Sequence, residues 1–424
     1  MKTKKRRNLS WQGLIVSSIA NRSQESRGIW KVAKDYSNSH MKKRSDKCRV
    51  LDEIFQSLSP AVHRASTVVF DSLEEFVQRK DRQPDGFSYG VTGTPTAREL
   101  ERRIAQLEGG GHCIAVPSGA AALMTTLMSF VRAGDHLLVS ASCYGALQSF
   151  VSRWLANLGV DVQIFDPSIA AEMSGLIRSN TRMICLEAPG SVTMEIADIP
   201  TVVDIARRAG VLTMMDNTWA SPLGLKPLDL GVDFAIEAAT KYIGGHSDLL
   251  LGAVSTRSYA HYASLRDAQD VLGQQASPDD CFLALRGLET FELRFSAQAA
   301  SALRVARWLS EQKTVDEVLF PALPGSRGHE RWKTWFTGHG CLMSIIMRPA
   351  ADTAYAEFFS RLRRFSIGAS WGGVHSLAAF FPESLQRDRP FVLTQRPIIR
   401  LSIGLENCDL LIEDLHGAME AFAR

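Results

Sequence analysis

The chain has 424 residues, 45% of them hydrophobic and 22% charged, enough to bury a sizeable core in two or three domains. Net charge is only +3, and the basic excess sits largely in "KTKKRR" and "KKRSDKCR" within the first 49 residues, a tail and not a face, so no nucleic-acid partner is expected. The seven cysteines show no CxxC pair or metal-ligand spacing, and no apolar run reaches the ~18 residues that span a bilayer; the reading is a cytoplasmic, metal-free protein with reduced thiols and no membrane segment.

Residues 1–85 lack sustained periodicity until "VHRASTVVFDS" and read as an N-terminal arm, with the first ~45 residues expected to be disordered and Met41 a plausible alternative start. "WQGLIVSSIA" is too short for a secretory signal and has no convincing cleavage site, while the basic, acid-poor start is also compatible with a transit peptide. Residues 86–288 are expected to form a large domain. Thr96 with Glu99 suggests a capping box that opens the helix "ARELERRIAQLE", whose Leu100, Ile104 and Leu107 share one face before the "GGG" stop. Short apolar runs follow, "CIAV", "HLLVS", "VQIF", "MICLE", "VLTMMD" and "DFAIEAA", separated by helix-length stretches such as "SGAAALMTTLMSFVRAG" and "IPTVVDIARRAG". Strand and helix alternating in this way imply an α/β fold with a mainly parallel, doubly wound sheet, whose ligands bind at the carboxyl ends of the strands. From 289 to 424, starting with the long helix "ETFELRFSAQAASALRVARWLSEQ", the pattern becomes a smaller C-terminal α/β domain.

Two strand ends carry chemistry. "VLTMMDNTW" delivers Asp216 to the ligand edge and "DFAIEAATK" delivers Lys241, followed by the glycine-rich "YIGGHS". Taken alone, the two residues are as well explained by a structural ion pair. "VPSGAAAL", however, puts Ser118, Gly119 and Ala120 where a strand turns into a helix, so that backbone N–H groups and the positive helix end can hold a phosphate. "SCYGAL" adds Tyr144 in another turn, where its ring can stack on a flat ligand or merely pack. Together these parts describe a site for pyridoxal 5'-phosphate: an amine for the aldehyde, a carboxylate for the pyridine nitrogen and a helix start for the phosphate.

"DFAIEAATKYIGGHS" also resembles the lysine signature of the Cys/Met metabolism pyridoxal-phosphate-dependent enzymes, and "SYGVTGTPTARELE", "PSGAAAL", "APGSVTMEIADIP", "DNTWASPLGLKPLDLGVD", "SWGGVHSL" and "RLSIGLEN" follow in that family's order over roughly residues 58–420. Within the family the chain is most similar to bacterial cystathionine β-lyases, because "SWGGVHSL" carries Trp371 where γ-acting relatives more often have an aliphatic residue. The resemblance implies the aspartate-aminotransferase-like fold type I of pyridoxal-phosphate enzymes and a homo-oligomer, a tetramer built from two dimers with shared active sites. It implies Lys241 as Schiff-base lysine and proton shuttle, Asp216 on the pyridine nitrogen, and Tyr144 stacked on the ring and available for proton transfer. Gly119, Ala120 and Thr240 would contact the phosphate, as would Tyr89 from a neighbouring subunit. Arg400 would pair with the substrate α-carboxylate, with Ser370 and Trp371 lining the same pocket. The implied reaction is β-elimination of L-cystathionine, a small sulfur amino acid, to homocysteine, pyruvate and ammonia; the alternative is γ-elimination or γ-replacement on methionine, cystathionine or an O-acylhomoserine. Three positions depart from the family's pattern: Val91 stands where many relatives have a phosphate-binding arginine, Ala238 where serine is common and His375 where glutamate is common.

Overall fold

A computed structural model describes residues 57–382 and 396–423. The expectations for the first ~45 residues and Met41 fall outside them. The chain divides into two units, one of residues 1–60 and 69–80, the other of residues 61–68 and 81–424. The described part of the first holds a short helix, Leu73–Val77, started by Ser72, whose hydroxyl accepts from Glu75 N–H at 3.1 Å. Everything below concerns the second.

Its seven-stranded sheet comprises β1 (His112–Val116), β2 (His136–Ser140), β3 (Asp161–Phe165), β4 (Thr181–Glu187), β5 (Leu212–Asp216), β6 (Phe234–Glu237) and β7 (Gly252–Thr256), in the order β1-β7-β6-β5-β4-β2-β3. The pairs β2–β3, β2–β4, β4–β5 and β5–β6 are parallel; β7 alone runs against the rest, wedged between β1 and β6. Alternation along the strands sends Met183, Cys185 and Met214 to one core and Ile184, Leu186 and Met215 to the other, so both faces are covered. Helix α1 (Pro95–Glu108) packs Leu100 and Ile104 on one face, and α2 (Gly119–Phe130) packs Ala122, Leu123 and Leu127 on the opposite one. A smaller five-stranded sheet, β10-β11-β12-β9-β8, is built from β8 (Val315–Leu319), β9 (Leu342–Met347), β10 (Ser366–Ile367), β11 (Leu377–Phe381) and β12 (Ile398–Ser402). Ile345 and Leu401 of this sheet belong to the same apolar core as Leu186 and Met215.

The start of α1 corrects the expected cap. Thr94, not Thr96, is the N-cap, its hydroxyl accepting from Ala97 N–H at 3.4 Å. Thr96 is turned instead to an earlier segment, donating to Ala61 O at 2.9 Å and accepting from His63 N–H at 2.8 Å, while Glu99 is taken up by Arg102 and Arg103. Pro95 at the first helical position makes Thr94 the natural boundary, because a proline fits there without losing a backbone bond. The helix stops at Gly109, whose φ of +66° is the left-handed value glycine adopts readily.

Below the sheet edge, α1 is tied to α3 (Tyr259–Leu272) by a buried ion pair. Glu101 accepts from Arg266 at 2.8 and 3.1 Å, from Arg98 at 3.0 Å and from the Ala115 N–H of β1 at 2.9 Å; Arg266 is 1% exposed. No helix among the described residues is long and apolar enough to cross a membrane, and no group of three or more His, Cys, Asp or Glu among them is arranged to hold a metal.

Candidate active site

The carboxyl ends of β4, β5 and β6 bring chemistry to one edge. Register pairs Glu187 with Asp216 and Asp216 with Ile236, and the chain leaves β6 through a tight turn that presents Lys241. The pocket there is lined by Ser118, Gly119 and Ala120 from the start of α2, by Tyr144, Glu187 and Asp216, by Ala238, Thr240 and Lys241, and by Trp371 from the segment before β11.

Asp216 directs Oδ1 to the Thr218 hydroxyl at 2.6 Å and the Thr218 N–H at 3.0 Å; its other oxygen has no hydrogen-bond partner among the described residues. Burial raises its pKa, against the pull of Thr218 and of the Lys241 charge. The Thr218 hydroxyl also accepts from Ala238 N–H at 2.9 Å, so one side chain fixes both Asp216 and the segment leading to Lys241. Ser118 caps α2, accepting from Ala121 N–H at 3.0 Å, and the first intrahelical bond runs from Ala122 N–H to Ser118 O. The N–H groups of Gly119 and Ala120 precede that bond and stay open to an anion. Gly119 is required for this approach: a Cβ there would lie 2.6 Å from the Ala238 methyl. Thr240 lines the pocket while its hydroxyl bridges the main chain of Leu251, donating to the carbonyl at 3.1 Å and accepting from the N–H at 2.9 Å.

The Lys241 ammonium donates to Ser370 Oγ at 2.9 Å and lies 5.2 Å from the centre of the Trp371 ring. Its turn is fastened from outside. Arg294, on the long helix Phe291–Ser310, donates to Tyr242 O and Gly287 O, each at 2.8 Å, to Ile243 O at 3.4 Å and to Thr290 Oγ1 at 3.0 Å. Gly245, at a φ of +72°, leaves room for that guanidinium, since a Cβ would fall 1.9 Å from its nitrogen. Burial draws the Lys241 pKa down to about 8, helped by Arg400 and opposed by Asp216. Only a neutral amine attacks a carbonyl, so capture of an aldehyde by the cofactor-free protein will accelerate as pH rises through about 8 and then level off. Borohydride trapping and mass spectrometry would read this; a rate still climbing toward the 10.5 of an ordinary lysine would contradict the placement.

Of the residues singled out in the sequence, Gly119, Ala120, Tyr144, Asp216, Thr240, Lys241 and Trp371 line this pocket, and Ser370 touches Lys241. Arg400, in the middle of β12, adjoins it: the guanidinium donates to Ala369 O at 2.8 Å, beside Ser370, and to Ser191 O at 3.4 Å. Tyr89 does not line it; the ring is 53% exposed at the N-cap of a short 3-10 turn that includes Val91. His375 also lies outside the pocket's lining, 78% exposed and 3.9 Å from Glu406. Sequence reasoning passed over Glu187, Ser191, Thr218, Trp219 and Leu250, which all line the pocket. Glu187 carried a usable signal, an acid closing an apolar run like that of Asp216. It accepts from Tyr144 N–H at 2.5 Å and so sets the turn that presents the tyrosine.

The pattern of the Cys/Met metabolism PLP-dependent enzymes matches residues 46–420. Cystathionine beta-lyase MetC of Escherichia coli is 38% identical over 375 residues, 87% of this chain and 94% of the relative. The L-alanine/L-glutamate racemase of Wolbachia pipientis is 36% identical over 375 residues, 86% of this chain and 92% of the relative. Among solved structures, cystathionine gamma synthase from Xanthomonas oryzae pv. oryzae, in complex with aminoacrylate and cysteine, superimposes with a TM-score of 0.80 at 28% identity, covering 88% of this chain and 95% of that one.

Proposed function

The chain belongs to the Cys/Met metabolism PLP-dependent enzyme family, and from that membership we propose that it is a carbon–sulfur lyase that cleaves L-cystathionine with water to homocysteine, pyruvate and ammonia. The observation that carries the choice is Trp371, which walls the pocket directly against Lys241, together with the 38% identity to a cystathionine beta-lyase.

The residues present fit pyridoxal phosphate. Asp216 keeps one carboxylate oxygen without a partner at the end of β5, suited to a protonated pyridine nitrogen. The open N–H groups at the start of α2 suit the phosphate, with Thr240 beside them. Tyr144 offers its ring to the pyridine face. Once bound, the cofactor supplies an electron-withdrawing ring that stabilises negative charge developing at the substrate α-carbon. Lys241, its pKa drawn down to about 8, takes the α-proton and returns a proton to the departing sulfur. Arg400, its guanidinium already oriented by Ala369 O and Ser191 O, pairs with the α-carboxylate, and Ser370 lies alongside. Glu187 holds the Tyr144 turn so that the tyrosine hydroxyl stays near the reacting atoms. The exposed Tyr89 ring serves the phosphate of a second copy, within a dimer that assembles into a tetramer.

Purified protein given pyridoxal phosphate and L-cystathionine is expected to release pyruvate with homocysteine. Release of 2-oxobutyrate with cysteine would assign γ-elimination. Racemisation of L-alanine without carbon–sulfur cleavage would overturn the lyase reading and leave the cofactor assignment intact.

A further inference from the structure

Two carboxyls behind the pocket have no part in the roles above. Glu237 closes β6 one residue before Ala238 and is 2% exposed; Glu108 ends α1 and is fully buried. Both carboxyl oxygens of Glu108, Oε1 of Glu237 and Oδ1 of Asn217 lack hydrogen-bond partners among the described residues. Asn217 follows Asp216 directly. Its N–H donates to Ile236 O at 2.9 Å and its side-chain nitrogen to Leu225 O at 2.9 Å, so the residue couples the ends of β5 and β6.

Burial first, then the charges of Glu108 and Asp216, disfavour ionisation of Glu237 and outweigh the neighbouring Asn217 side chain, which favours it. An ionised carboxylate is an acceptor only, and so is an amide oxygen; two such atoms left orphaned in a dry interior need a hydrogen between them. The charged surroundings offer little to hold an anion here. Lys226 is exposed and stands near Glu108 together with Asp229, which pairs with Arg257. Asp216 faces from β5, the Tyr242 hydroxyl from the following turn and the Cys113 thiol from β1, while β7 opposes β6 with only Ala253, Val254 and Ser255.

We propose that Glu237 works as a neutral carboxylic acid, donating its proton to the Asn217 side-chain oxygen, and that this contact positions Asp216 for the pyridine nitrogen. Glu108 is the second neutral acid of the cluster. Burial pushes its pKa up to about 8 and raises that of Glu237 well above the usual carboxylate range. A carboxyl that stays neutral keeps a second negative charge away from Asp216, so Asp216 answers to Thr218, Lys241 and the cofactor alone. Glu237 is thus a positioning residue. Its service to Asp216 rests on the function proposed above, whereas its protonation does not.

The infrared spectrum of the cofactor-free protein at neutral pH is expected to contain the carbonyl stretch of buried protonated acids, diminished in Glu237→Gln. Unfolding gives a second reading. In the window from 4.5 to about 8 the folded chain keeps a proton on Glu108 that the unfolded chain has released, so stability falls as pH rises; Glu108→Gln should remove that one-proton slope. For positioning, Glu237→Gln replaces the donor and should retain the affinity for pyridoxal phosphate, measured by absorbance titration, that Glu237→Leu loses by about tenfold. An infrared band untouched by Glu237→Gln overturns the neutral acid. Equal affinity in the Gln and Leu variants overturns the positioning role. Should the Leu variant not fold, the infrared comparison of wild type with Glu237→Gln decides. A protein that binds no pyridoxal phosphate would fail the functional reading while leaving the infrared result valid.

Discussion

Lys241→Ala will leave the protein unable to hold pyridoxal phosphate covalently, and turnover of the proposed substrate, L-cystathionine, is expected to fall by at least about a thousandfold. Lys241 is the one amine among the residues lining the pocket, so its loss removes both the group that can bond the aldehyde and the group that can carry the α-proton. The fold should tolerate the change: the ammonium makes one hydrogen bond, to the exposed Ser370, and the turn itself is held through the backbone by Arg294. The measurement is the visible absorbance that survives borohydride reduction and dialysis, followed by kcat. A variant that keeps a covalent chromophore would assign the cofactor to another lysine.

Glu101→Met will lower the stability of the cofactor-free protein by about 3–5 kcal/mol, the range found when one partner is taken from a buried ion pair. The change leaves Arg266 charged at 1% exposure, removes the carboxylate partner of Arg98 and deprives the Ala115 N–H of its acceptor. Burial alone would raise the Glu101 pKa; the Arg266 and Arg98 charges more than offset it, and the carboxyl stays ionised below the usual range. A depressed folded pKa means that this stabilisation is present above the ordinary value of 4.5 and fades as pH falls below it, so acid should cost the wild type more than the variant. Urea midpoints across that range test both statements. Glu101→Met combined with Arg266→Leu should regain part of the loss, because no charge is then stranded. A single variant within about 1 kcal/mol of wild type would show that water reaches Arg266.

What the sequence disclosed and withheld has physical causes. Runs such as "MICLE" and "VLTMMD" were legible because a parallel strand buried on both faces is apolar at every position, and the acids that close them stand out. By the same rule Glu187 could have been read with Asp216. β7 was not legible: "GAVST" opens on a glycine, ends on hydroxyls and follows a glycine-rich turn, so its five fully buried residues resemble a loop. The cap at Thr94 was misplaced because a helix start offers several hydroxyls, and only the three-dimensional demand of Ala61 and His63 on Thr96 decides between them. The position of Tyr89, exposed and away from its own chain's pocket, belongs to no local pattern. Arg400 was readable only through a motif, since its closeness to Lys241 comes from a strand of the second sheet, some 160 residues further along.

The Arg294 clamp distinguishes the lysine-bearing turn from the surface around it. Its four acceptors are three main-chain carbonyls and a hydroxyl, and among the described residues none is a carboxylate. A fixed dipole has no proton to gain in acid, and a buried contact is screened little by salt. Surface pairs such as Arg207–Asp204 and Arg304–Asp409 will loosen as ionic strength rises or their acids titrate. The strap behind Lys241 will not, so the reactive amine keeps its place through swings of salt and acidity that rearrange the exterior.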